Sequence, residues 1–180
     1  MKKLSITLLV LFSTLAYSQN AFIIYEFEAK RGCQDAILEL ADGFWGEANF
    51  KSGGIDIERM EIGGEPSTHR IVIYGDPANW GRSDTTVTKA QWEAFIEKFQ
   101  NFVEEWTFST SGEALSWVGG DDEASYTYGH IYNFKADDEQ AFKNAHDKIV
   151  GELSSVMDGR EIGYGSFLIN GYEGSTHYVY

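Results

Sequence analysis

Two of the four histidines close the same short phrase: Gly63 to His69 reads GGEPSTH and Gly171 to His177 reads GYEGSTH. A pair of neutral imidazoles can ligate a metal or exchange protons near neutral pH. Yet neither His69 nor His177 has an HxH or HExxH neighbourhood. Glycine, glutamate, serine and threonine are what a hairpin turn and its flanks need for backbone hydrogen bonding. The repeated phrase is therefore expected to be scaffold, and no metal site is expected. A second grouping offers more chemistry. Tyr128, His130, Tyr132 and Phe134 alternate, and at the two-residue period of a strand they share one face, with Tyr178 and Tyr180 on the neighbouring strand. Aromatic walls with a few hydrogen-bonding tips suit a pocket for a flat organic molecule. His130 is the expected general base, and Tyr128, Tyr132, Phe134, Tyr178, Arg70 and Tyr74 are the expected ligand-binding residues. His146 belongs at the edge of a helical apolar stripe, and Cys33, the only cysteine, reads as a small buried hydrophobe.

The elements that must position these residues come in two copies. AFIIYEFEAK and YGHIYNFKAD match at Ile24/Ile131, Tyr25/Tyr132, Phe27/Phe134 and Ala29/Ala136. Tyr25 lies 44 residues before His69 and Tyr132 lies 45 before His177, so a single indel separates two repeats. In the first copy, Phe22–Phe27 reads as a strand, and Ile37, Leu38, Ala41, Phe44, Trp45 and Ala48 as a helical stripe. GIDIERMEIG and THRIVIYG follow as a hairpin around Gly63-Gly64-Glu65-Pro66. A second helix places Trp92, Phe95, Ile96, Phe99, Phe102, Val103 and Trp106 on one stripe, with Thr88 and Gln91 as a capping box. A short strand, Ala114–Val118, closes the module. The second copy repeats a strand (Tyr126–Phe134), a helix carrying Phe142, Ala145, Ile149, Leu153 and Val156, and two hairpin strands (Glu161–Ile169 and Ser175–Tyr180). On the strand after each turn, His69, Ile71 and Ile73 share a face, as do His177 and Val179. Arg70, Val72 and Tyr74, like Tyr178 and Tyr180, share the other.

The chain opens with Lys2 and Lys3, an apolar run from Leu4 to Leu15 and the small-x-small step Ala16-Tyr17-Ser18. That is the pattern of a secretory signal peptide, and the run is short of the roughly 20 residues that span a bilayer. A secreted or periplasmic location is expected, without membrane attachment after cleavage. Removal of residues 1–18 leaves 12 basic against 28 acidic residues, a net charge of −16, which repels nucleic acid and anionic lipid. A single cysteine excludes an internal disulfide, so stability must come from an ordinary core. No GxSxG, GxGxxG or GxxxxGK[ST] phrase is present, which removes the usual signals for nucleophilic hydrolysis and nucleotide binding, and no cofactor is expected.

The expected class is α+β, built as tandem ferredoxin-like modules with antiparallel sheets and helices on one face. A complete βαββαβ unit spans residues 19–118, 119–125 form a linker, and 126–180 form an incomplete βαββ unit. In this duplicated, aromatic-rich form, residues 21–180 resemble the α/β-barrel superfamily of paired ferredoxin-like sheets. Its members include cofactor-independent monooxygenases, haem-degrading enzymes and stress-responsive barrel proteins. The resemblance lies in the element pattern and implies fold, not activity. Three readings of function follow: an exported protein holding an aromatic or apolar small molecule between its sheets; a cofactor-independent oxygenase or isomerase; or a structural, partner-binding protein. The incomplete second unit leaves residues 126–134 as an open edge, which predicts either self-association there or further chain that rebuilds the module.

Overall fold

A computed structural model describes residues 20–84, 87–118, 128–157 and 160–180; the expected signal sequence, 1–18, and the expected linker, 119–125, lie outside these residues. The elements in chain order are β1 (Ala21–Ala29), α1 (Gln34–Trp45), β2 (Gly54–Arg59), β3 (His69–Gly75), α2 (Lys89–Gln100), β4 (Val103–Val118), β5 (Tyr132–Phe134), α3 (Glu139–Met157), β6 (Ile162–Ile169) and β7 (His177–Val179). Single 3₁₀ turns occupy Pro77–Asn79 and Tyr172–Gly174. The class is α+β. All seven strands join one antiparallel sheet in the order β2-β3-β1-β4-β6-β7-β5.

Each helix forms where its local chemistry allows. Thr88 Oγ1 accepts the Gln91 N–H at 3.3 Å while the Gln91 side chain accepts the Thr88 N–H at 2.8 Å, so the expected capping box starts α2. The stripe ends sooner than its spacing suggested. Val103 and Trp106 stand on β4, because the threonine-, valine- and aromatic-rich run after Phe102 is drawn into pairing with β1, where Trp106 lies opposite Phe27 and Val103 opposite Ala29. The expected strand Ala114–Val118 is the last part of this 16-residue strand.

Register fixes the two faces. Ala21, Glu113, Ser166, His177 and Phe134 are successive cross-strand partners and so lie on one face. All three helices cover that face. Phe27, Ile37, Ile71, Phe95 and Phe99 make the core under α1 and α2, where Phe44 and Phe95 stack at 4.0 Å. Phe134, Phe142, Tyr164 and His146 make the smaller one under α3. The other face turns inward. Tyr180, just after β7, feels the charges of Glu58, Arg70 and Asp56 on β2 and β3. Those strands stand five and four steps from β7, about 24 and 19 Å in a flat sheet, so the sheet must curl around an interior. Phe22 on β1 meets Tyr178 on β7 edge-on at 5.3 Å although β4 and β6 lie between them. They meet over two glycines. A Cβ on Gly112 would approach the Phe22 ring to 2.4 Å, and one on Gly165 would approach the Tyr178 hydroxyl to 2.5 Å.

The strand expected over 126–134 is much shorter. Residues 126 and 127 lie outside the described residues, 128–130 are irregular, and β5 holds only Tyr132–Phe134. Its one partner, β7, is itself three residues long and limits the ladder. At Gly129 the chain instead lies against the Tyr180 ring, which a Cβ would approach to 2.5 Å.

Candidate functional site

The repeated phrase builds the same lock twice. Thr68 Oγ1 accepts the Ala29 N–H at 2.8 Å and bonds His69 Nδ1 at 2.9 Å, while the Thr68 N–H reaches Phe27 O at 3.0 Å. In the second copy Thr176 Oγ1 accepts the Ala136 N–H at 3.2 Å and bonds His177 Nδ1 at 2.7 Å, and its N–H reaches Phe134 O at 3.0 Å. Each imidazole then stacks on its cross-strand phenylalanine, at 5.5 Å for Phe27 and 5.8 Å for Phe134. The threonine thus ties the end of one strand to the start of another, and the histidine fills the core behind it. Burial, reinforced by Arg59, lowers the His69 pKa against a smaller opposing effect of Asp35. His177 Nε2 lies 3.4 Å from Glu139 Oε2 without hydrogen-bond geometry. Among the described residues no three His, Cys, Asp or Glu side chains converge to hold a metal.

The expected pocket around His130 does not assemble. His130 is exposed on the irregular approach to β5, with Tyr128 and Tyr132 beside it at 82% and 64% exposure. Among the described residues nothing there shelters a base or a ligand. Phe134 points to the helices, against Phe142 at 4.5 Å. The register gives the reason: Tyr132 lies opposite Val179 and Phe134 opposite His177, so both occupy the face opposite to that of Tyr178. Arg70, Tyr74 and Tyr178 do share the inner face, where Tyr74 and Tyr178 join Phe22, Ile24 and Phe167 in an apolar cluster.

That inner face carries a polar end that none of the expected residues except Arg70 announced. Glu26 on β1 is 4% exposed and stands opposite Arg70 on β3 and Phe108 on β4. One carboxylate oxygen accepts the Ser67 hydroxyl at 3.0 Å, and Ser67 is joined to Thr107 at 2.7 Å. The other accepts the phenol of Tyr172 at 2.5 Å, across 146 residues of chain. Arg70 forms an ion pair with Glu58. Burial, then the Glu26 hydrogen bond and charge, push the Tyr172 pKa far up, while Arg70 opposes weakly. The phenol is therefore a fixed donor. Burial likewise raises Tyr178, with Glu113 adding to it. Two carboxylates and one guanidinium leave this end with a net negative charge, so it receives hydrogen-bond donors better than anions.

Nothing in its local spacing marks Glu26, one acid on a strand, as buried. Glu26 aligns with Asn133 and Tyr172 with Gly64, so the two residues that meet across the interior both stand at positions where the repeats differ, as several other positions do. With this geometry in view, the chain matches no family model, and no curated protein matches its sequence. No helix of the described residues is long and apolar enough to cross a membrane.

Proposed function

We propose that the chain is an exported small-molecule-binding protein of the α/β-barrel type, holding an aromatic or apolar ligand between the two halves of its curled sheet. In this reading the halves are two ferredoxin-like modules, a complete one and a βαββ one, consistent with the strand orders β2-β3-β1-β4 and β6-β7-β5. The observation that carries the proposal is the Glu26–Tyr172 bond, a contact between a buried carboxylate and a part-buried phenol at the end of an aromatic interior. Interior space lined by rings and ended by a few converging polar groups is the usual make-up of a ligand site. Native mass spectrometry of protein purified from its exporting host should show a bound small molecule. Glu26→Gln should weaken its retention while the fold persists. Retention unchanged in Glu26→Gln, or native protein that never carries a ligand in any growth condition, would overturn the reading.

The oxygenase or isomerase alternative requires a base inside this interior, where Glu26 stands and His130 does not. A partner-binding reading has its own support. Tyr128 and Tyr132 are exposed at the free edge β5, and Ile149, Leu153 and Val156 on α3 are 51%, 45% and 66% exposed. An edge strand beside an uncovered apolar stripe is a template for another chain.

A further inference from the structure

We infer, resting on the reading of the interior as a ligand site, that Tyr172 occupies from within a site made for a small phenol, and that a phenolic ligand displaces it. The side chain is held as a ligand would be. Its hydroxyl donates to Glu26, whose other oxygen is already fixed by Ser67. Its ring lies 4.3 Å from that of Phe108 and meets Phe167 edge-on at 5.6 Å. These are the two contacts that recognise a phenol: an acceptor for the O–H and aromatic walls for the ring.

The segment that carries Tyr172 is suited to release it. It is the 3₁₀ turn between β6 and β7, with Glu173 and Gly174 exposed. Asn170 (φ 59°) and Glu173 (φ 48°) both adopt the left-handed region, which a side chain disfavours, so the inward turn is held against a local cost. The first repeat carries Gly64 at the aligned position before an equivalent Thr-His lock, so the lock itself does not need the ring. Tyr172 is thus dispensable to the lock and complementary to the interior. The negative polar end explains the class: a neutral phenol donates a hydrogen bond to Glu26, whereas a carboxylate ligand would face Glu26 and Glu58 with only Arg70 in compensation.

The probe is p-cresol, the tyrosine side chain as a free molecule, with toluene as its counterpart lacking the donor. In the full-length mature protein, Tyr172→Ala should lower the melting temperature, and p-cresol should restore it far more than toluene. Replacing Glu26 by Gln in that background should abolish the difference between the two. Wild type should bind p-cresol saturably but more weakly, with amide shifts at Glu173 and Gly174 as the turn opens. Tyr172→Phe keeps the core filled but removes the competing hydrogen bond, so its apparent affinity for p-cresol should exceed that of wild type by about tenfold. Absence of saturable binding in both wild type and Tyr172→Phe would make Tyr172 a permanent core residue and overturn the inference, even if Tyr172→Ala fails to fold. Equal rescue by toluene would also overturn it. A non-phenolic molecule recovered from the native protein would overturn this inference while leaving the binding function standing.

Discussion

Thr68→Val and Thr176→Val make the same chemical change in the two copies of one lock, and they should not cost the same. Valine preserves shape and branching but removes the hydroxyl that joins a strand-end N–H to an imidazole. In the first copy both orphaned groups are shut away from water: Ala29 is 4% exposed and His69 is fully buried, its Nε2 already without a partner. Each unsatisfied buried group costs about 1–3 kcal/mol, so Thr68→Val should lose roughly 2–6 kcal/mol. In the second copy Thr176 is exposed and Ala136 is partly so. Water can replace the hydroxyl at the Ala136 N–H, and only His177 Nδ1 is stranded, which reduces the loss to about 1–3 kcal/mol. At about 2–4 °C per kcal/mol for a chain of this size, the melting temperatures should fall by about 4–24 °C and about 2–12 °C respectively. Urea unfolding followed by the fluorescence of the five tryptophans gives the same comparison from midpoints at unchanged slope. Equal losses, or a larger loss for Thr176→Val, would refute the argument that solvent access separates the two copies.

The lowered pKa of His69, caused mainly by burial, means that the unfolded chain binds its proton more readily than the folded one. Its contribution to stability should therefore be unaffected above the ordinary value of 6.5 and turn unfavourable as pH falls below it, by at most about 1.4 kcal/mol per pH unit. A His69→Gln variant should show a shallower stability loss between neutral and mildly acid pH, and an unchanged slope would contradict this. Gly112→Ala should lose about 3 kcal/mol or more, because its Cβ would stand 2.2 Å from Ser166 O as well as against Phe22; a near-neutral melting curve would contradict the meeting of Phe22 and Tyr178 over the glycines. Light scattering during size exclusion should reveal a dimer that grows with concentration and that Leu153→Lys, on the exposed α3 stripe, returns to monomer. A wild-type monomer at every concentration would end the self-association proposal.

Much of the architecture was legible because it is written twice. The repeats delimit the strands, and the two-residue period assigned Arg70, Val72 and Tyr74 to the face opposite His69, where they lie. The helix–strand junction at Phe102 was not legible, since Val103 and Trp106 satisfy a helical stripe and a strand equally well until β1 is present to pair with them. The separation of Tyr132 and Phe134 from Tyr178 was illegible for a related reason. Periodicity shows which residues of one strand share a face, but not which residues of the next strand join them, and that depends on register. The repeat held the answer, because Tyr132 and Phe134 occupy the places of Tyr25 and Phe27, which share the face of His69. The pairing of Glu26 with Tyr172 was not legible, because they are 146 residues apart and joined by curvature rather than by local spacing.

The position of β1 in the sheet governs how the chain can acquire its structure as it emerges. The first strand to appear is an interior strand of the sheet, and Phe27 must wait for His69 on one side and Trp106 on the other. At about 5–20 residues per second the second wait is about 4–16 s, long enough for an unpaired apolar strand to need shelter before its flanks arrive. Once β4 is in place, the core under α1 and α2 can close, but β4 then offers its segment from Ser111 to Val118 as a vacant edge until β6 docks. Trp117 and Val118 make that edge adhesive, and Glu113 is the one charge within it. Glu113 then acts as a gatekeeper during maturation, and its neutralisation should increase aggregation of newly made chains more than it changes the melting temperature of finished ones.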